Sequence, residues 1–313
     1  MIKYIDMHCD TFTVCHDNGL DLDGGSLQVN LTKLESSGCK AQCFAIFTEG
    51  KDAFEKFNVY LDYYKNALKH FESRIKSIDC TADFAVAERD GKIGCILTVE
   101  NLGFLPSPDY VKNLKQAGVK MASLVWNYEN KLAYPNLKFV GGIPDFSLRE
   151  ARGLKPLGRE VAEMLDGNNI IVDISHISDG GADEILENRK IPVVASHSNT
   201  QSVLDVSRNL TDGQIKKIAD CGGVIGVNFC ADFLGSVPIE CVYKNFAHIM
   251  DIGGEDVIAL GSDFDGIPKC DGLEGCEKMQ NLFGYLLKRK IPPRVLEKLA
   301  TLNFMRVFEE VIG

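Results

Sequence analysis

Short apolar runs recur along the chain at fairly even intervals, and between them the apolar residues return to helical spacing. The runs occupy residues 4–7, 42–47, 94–99, 120–125, 170–174, 192–195, 224–228 and 257–260, eight in all. They are nearly all apolar rather than alternating, which is the pattern of parallel strands covered on both faces. Amphipathic stretches at 52–74, 156–166, 179–188, 211–221 and 239–251 supply the intervening helices. Thr211, with Gln214 three residues on, forms a capping box ahead of one helix, and Gly222-Gly223 ends it. Eight strands alternating with helices predict a closed (β/α)8 TIM-like barrel of the α/β class. The tail, 280–312, reads as two helices broken at Pro292-Pro293 and packed outside that barrel. No linker, internal repeat or low-complexity tract interrupts the pattern, so residues 1–313 are read as one domain.

Composition narrows the partners. The 44 acidic residues outnumber the 34 Lys and Arg, giving a net charge of −10 with no basic block, which excludes nucleic acid as the expected partner. No run approaches the roughly 20 apolar residues that span a bilayer, and the first residues, with Asp6 and Asp10 among them, do not resemble a leader. Eleven cysteines lie scattered, several in apolar runs such as those holding Cys43, Cys95 and Cys230. An odd, unframed set of this kind predicts reduced thiols and a cytoplasmic setting.

The ionisable residues fall where a barrel would use them. His8 and Asp10 end the first run, Glu100 the third, His176 follows the fifth, His197 the sixth and Asp263 the eighth. A β/α barrel builds its site at the C-terminal ends of its strands, so these six side chains would converge at one mouth. Residues two apart in an extended strand face the same way, which would let His8 and Asp10 share one ion. Each residue alone has a plainer reading. A buried histidine is usually a hydrogen-bonded core residue, Glu100 would serve as a helix cap, and Asp263 or Asp265 as turn residues. His16, His70 and His248 keep that plainer reading. The cluster does not, because burying so many charges without a cation is costly. Imidazole and carboxylate donors suit Zn²⁺, with Mn²⁺, Co²⁺ or Fe²⁺ as substitutes. His8, Asp10, Glu100, His176 and His197 exceed what one catalytic ion needs. They point to two divalent ions that share a carboxylate and hold a nucleophilic hydroxide between them.

The segments Asp6-Met-His-Cys-Asp-Thr, Val99-Glu-Asn, Val172-Asp-Ile-Ser-His-Ile-Ser, Ala195-Ser-His-Ser, Ser207-Arg-Asn and Gly261-Ser-Asp-Phe-Asp-Gly come in the order found in the renal (membrane) dipeptidases. The chain resembles that family, the M19-type metallopeptidases of the amidohydrolase superfamily, over essentially its whole length. The resemblance implies a binuclear zinc site, with His8 and Asp10 on one ion, His176 and His197 on the other, and Glu100 bridging. It implies Asp263 as the catalytic proton shuttle and Arg208 as the clamp on the substrate's terminal carboxylate, a task that suits a guanidinium fork. The implied reaction is hydrolysis of dipeptides, L,D-dipeptides included. Dimers are common in the family, although no motif here demands a homodimer.

One position departs from the pattern. Renal members carry a substrate-contacting histidine at the end of the fourth strand, where this chain has Trp126 followed by Asn127. Indole donates one hydrogen bond and cannot carry a proton, so Asn127 or a metal would take over the polarising role, or the rate would fall. Three other readings stay open: a hydrolase of N-acyl amino acids or other small amides, a metal-binding protein without turnover, and a phosphotriester- or lactone-cleaving enzyme. The last usually has a metal-bridging lysine, whose place Glu100 takes here.

Overall fold

The computed structural model describes residues 1–235 and 238–313. Its eight barrel strands are β1 (Tyr4–Asp6), β2 (Cys39–Phe47), β3 (Ile93–Glu100), β4 (Met121–Ser123), β5 (Ile171–Asp173), β6 (Val194–Ala195), β7 (Val224–Val227) and β8 (Ile258–Leu260). All pair in parallel, and β8 returns to β1 through Leu260 and Asp6, which closes the barrel. Every predicted run overlaps its strand. β2 starts earlier than its apolar run because Lys40, inside it, reaches out to Glu88 at 3.0 Å.

Among the described residues, three short strands lie outside the barrel. Ile75–Ser77 pairs with the first half of β3, and Lys138–Val140 with Ile143–Asp145 forms an antiparallel hairpin in the connection between β4 and β5. The helix Asp212–Asp220 starts with the Thr211–Gln214 capping box, and the chain leaves it through Gly222 at φ 76°.

The two ends of the barrel differ in chemistry, and that difference places the site. At the bottom, Ile5, Ile96, Met121, Ile171 and Val224 form one apolar cluster with Phe304, Val307 and Phe308. The latter three belong to the last helix, Asn303–Val311, which packs outside the barrel across this opening. At the top the inward positions turn polar, with Thr98, Glu100, Ser123, Asp173 and Ser196 all buried. The end of β6 pushes into this space. A Cβ on Gly226 or Gly261 would lie 2.2 or 1.8 Å from the Ser196 carbonyl oxygen, so β7 and the residue just after β8 must be glycine there. No helix among the described residues is long and apolar enough to cross a membrane. All the cysteines are unpaired thiols, and all except Cys80 are buried.

Candidate metal centre

The strand ends deliver the predicted residues to one place. His8 stands two residues beyond β1, Glu100 ends β3, His176 lies three residues beyond β5 and His197 two beyond β6; all four are buried. Glu100 Oε1 is 2.8 Å from His176 Nε2 and 3.7 Å from His197 Nε2, and Glu100 Oε2 is 3.8 Å from His8 Nε2. On the other side, His8 Nε2 is 3.7 Å from Asp10 Oδ2 and 3.8 Å from Asp263 Oδ1. Glu100 thus lies between the His176–His197 pair and His8, while Asp10 and Asp263 converge on His8.

The hydrogen bonds around the rings determine where their lone pairs point. Asn127 Oδ1, which only accepts, sits 3.0 Å from His176 Nδ1, so that nitrogen carries the proton. Ser196 Oγ donates to Asp173 Oδ2 at 2.5 Å and accepts from His197 Nδ1 at 2.7 Å. Both Nε2 atoms therefore present lone pairs, yet they lie 2.8 Å apart beside a carboxylate oxygen. Lone pairs at that separation need a cation between them. Burial, reinforced by the charges of Arg208 and His8, keeps His176 and His197 well below the usual imidazole range, so neither supplies that cation itself. His8 Nε2 and Asp10 Oδ1 are buried with no hydrogen-bond partner. A set of imidazole nitrogens and carboxylates with unsatisfied inward atoms fits divalent metal. Burial pushes Glu100 well above the usual carboxylate range, and the charges of Asp10 and Asp263 add to the shift against His8. Burial likewise raises Asp263 to about 6. A nearby cation would relieve both.

Beside the centre opens a cavity of about 400 Å³, bounded by Asp10, Phe47, Glu100, Trp126, Asn127, His176, Arg208, Phe233 and Asp263 among others. Arg208 is buried, donates to the Ser175 carbonyl and, at 3.1 Å, to His176 Nε2, and lies 5.1 Å over the Phe233 ring. It has no carboxylate partner among the described residues. Its Nε is buried and unpartnered. Trp126 packs on Phe47, with ring centroids 4.6 Å apart, and faces His176 at 6.3 Å. The Asn127 amide oxygen is engaged in orienting His176, so its polarising role toward substrate would fall to its NH₂ end. His16 and His70 are exposed, and His248 pairs with Asp212 at 2.7 Å, all outside the centre.

Several residues that matter here were given no part in the site from the sequence, Asp265 having been read only as a turn residue. Asp173 accepts from Ser175 N and Oγ and from Ser196 N and Oγ, and so holds the loops that carry His176 and His197. Asn228 donates to Asp263 Oδ2 at 2.8 Å. Asp265 accepts from Thr11 Oγ1 and from the backbone of Gln28 and Val29, which ties the β8 loop to the β1 loop. The signal for all three was position: buried polar residues inside or beside segments already singled out.

A closed barrel with this donor set at its C-terminal mouth defines a metallohydrolase. The sequence matches the profile of the membrane dipeptidases, peptidase family M19, over residues 1–312. The chain belongs to that family and is a metallo-dipeptidase. It is similar to an uncharacterized dipeptidase of Schizosaccharomyces pombe, 29% identical over 310 residues that cover 92% of this chain and 73% of that protein. It is also similar to dipeptidase tcpJ of Claviceps purpurea, 26% identical over 83% of this chain and 60% of that one. In fold it resembles dipeptidase AC, a metallopeptidase of family M19, with a TM-score of 0.90 at 22% identity, covering 100% and 99% of the two chains. A metallopeptidase from Rhodobacter sphaeroides, liganded with a phosphinate mimic of the dipeptide L-Ala-D-Ala, gives 0.88 at 21% identity over 99% of each chain.

Proposed function

We propose that this metallo-dipeptidase is zinc-dependent, uses two ions, and accepts dipeptides that include the L,D form. The observation that carries the reading is the convergence of His8, Asp10, Glu100, His176 and His197, with His8 Nε2 and Asp10 Oδ1 left without a partner, beside a buried Arg208 that has no carboxylate partner among the described residues. His8 and Asp10 would hold one ion, His176 and His197 the other, and Glu100 both. When bound, such a pair supplies an activated water and a Lewis acid for the peptide carbonyl. Arg208 takes the substrate's terminal carboxylate and sets which bond lies over the centre. Asp263, held by Asn228 and raised by burial to about 6, accepts a proton from the attacking water and passes it to the leaving amine. Trp126 and Phe47 wall the cavity on the side of β2 and β4. The L,D preference is supported by the dipeptide mimic that the Rhodobacter sphaeroides relative binds. The unpaired thiols support a reducing, cytoplasmic setting.

The test is amino acid release from L,L- and L,D-dipeptides and their N-acetyl derivatives, with zinc-loaded wild type, chelated protein and His176→Ala. Release from free dipeptides only, lost on chelation and in the variant, is the expected outcome. Release from the acetylated set instead would move the activity to acyl-amino-acid hydrolysis. Turnover that survives chelation would overturn the metal-dependent reading.

A further inference from the structure

Arg208 is buried, but it sits on a loop rather than on a barrel strand, and something must hold that loop in register with the metal ligands. The structure assigns this task to Arg149. Its guanidinium takes Asp179 in a two-pronged pair, Nε to Oδ2 at 2.6 Å and Nη2 to Oδ1 at 2.8 Å. Two further hydrogens go to backbone carbonyls, Nη1 to Val206 at 3.2 Å and Nη2 to Asn209 at 3.0 Å. Those carbonyls flank Arg208 on either side. Asp179, in turn, opens the helix Asp179–Leu186, three residues after His176. Arg149 therefore joins the loop carrying the carboxylate anchor to the loop carrying a metal ligand. Two neighbouring contacts run the same way: the Ser207 N–H donates to the Phe146 carbonyl at 2.6 Å, and Phe146 packs edge-on against Phe233, the ring beneath Arg208.

We propose that Arg149 and Asp179 form a positioning brace that fixes the distance between Arg208 and the metal centre, and so confines the substrate to a free carboxylate one residue beyond the scissile bond. Arginine suits the role because a rigid fork serves a carboxylate and two carbonyls at once, whereas a lysine ammonium cannot keep that geometry. The brace touches neither substrate nor reacting atoms. Its loss would let Arg208 drift, and small misplacements of a binding group are costly because orientation is prepaid in the folded site. The inference rests on Arg208 as the carboxylate anchor.

The experiment compares a dipeptide with its C-terminal amide in wild type, Arg149→Lys, Asp179→Asn, Arg208→Ala and the double variant Arg149→Ala/Arg208→Ala, with metal content and melting temperature recorded for each. Asp179→Asn is the mild variant that keeps the brace's shape while removing its charge. The expected result is a rise in KM for the dipeptide of about tenfold in Arg149→Lys, a smaller rise in Asp179→Asn, kcat and metal content within about twofold, and a reduced preference for acid over amide. The double variant should be no worse on the dipeptide than Arg208→Ala alone, because a brace has nothing left to position. If Arg208→Ala abolishes the acid preference while the Arg149 and Asp179 variants keep it, the brace is wrong. The brace is equally wrong if these variants lose acid and amide turnover by the same factor. If Arg208→Ala itself leaves the preference intact, the anchor reading fails, and the brace with it.

Discussion

Gly266 offers a sharp test of the centre because it makes room for two functional carboxylates. A Cβ at this position would lie 2.1 Å from Asp10 Oδ2 and 2.7 Å from Asp263 Oδ1, where ordinary contact is 3.4–4 Å. In Gly266→Ala the Asp10 carboxylate must therefore retreat by roughly 1.3 Å and Asp263 by roughly half as much. Both obstructing atoms are free ends of side chains, so the fold can absorb the methyl group at the usual overpacking cost of about 1–3 kcal/mol. The centre cannot absorb it so easily. A displacement of about 1 Å in a ligand or proton carrier costs on the order of 10² in rate. The expected outcome is a protein that melts within a few degrees of wild type, binds less metal, and shows kcat/KM for a dipeptide reduced about 100-fold. Metal content by inductively coupled plasma spectrometry, a melting curve and initial rates cover the three readouts. Gly25→Ala is the matched control, since a Cβ there meets nothing within 4 Å. If Gly266→Ala keeps full metal content and a rate within about threefold of wild type, then Asp10 and Asp263 do not act as described.

Three further outcomes follow from the same geometry. Burial disfavours a charge on His8, but the carboxylates of Asp10, Glu100 and Asp263, 3.7–3.8 Å away, outweigh that and raise it to about 10. The metal-free protein therefore carries a proton on His8 below that pH, and an entering cation must displace it. Competition weakens as pH rises toward about 10, so metal affinity should increase with pH, and calorimetry in buffers of different ionisation enthalpy should record proton release; uptake without release would contradict the His8 assignment. Asp173→Asn should destabilise by about 1–3 kcal/mol, because its amide oxygen can still accept from Ser175 and the Ser196 N–H but its NH₂ replaces the oxygen that accepts from the Ser196 hydroxyl, and should weaken metal binding about 10–100-fold through Ser196 and His197; an unchanged metal affinity in a competition titration would sever that link. Trp126→His restores a second polar nitrogen beside His176, and kcat should rise at least about tenfold if the substrate carbonyl lacks a donor in the wild type. A flat kcat would place the polarising role elsewhere.

The barrel was legible because its strands are covered on both faces and so read as unbroken apolar runs. The hairpin at Lys138–Val140 and Ile143–Asp145 was not, since Val140 and Ile143 are exposed and its anchors are the stacking of Phe139 on Tyr128 and a Lys138–Glu150 pair, which no periodicity announces. The convergence of His8, Asp10, Glu100, His176, His197 and Asp263 was legible from their recurrence after strands, and the resemblance implied the metal and proton roles proposed for them. What the strand pattern by itself left hidden was how neighbouring carboxylates come to face different ways. Asp263 and Asp265 show the reason. Two residues apart, they would share a face in any extended strand. Here both adopt left-handed backbone at φ 65°, a conformation that aspartate tolerates better than most residues. That turn sends Asp263 toward His8, 3.8 Å away, and Asp265 toward Thr11, Gln28 and Val29. One side chain is left for chemistry and the other staples the loop that presents it. Strand periodicity carries no information about that choice. The same holds for Arg149, whose partners at Val206 and Asn209 lie 57 and 60 residues along the chain and are main-chain carbonyls that no residue type announces. Sequence pattern locates a site whose donors are side chains at strand ends. It loses the parts of that site held by backbone turns and by contacts to the main chain.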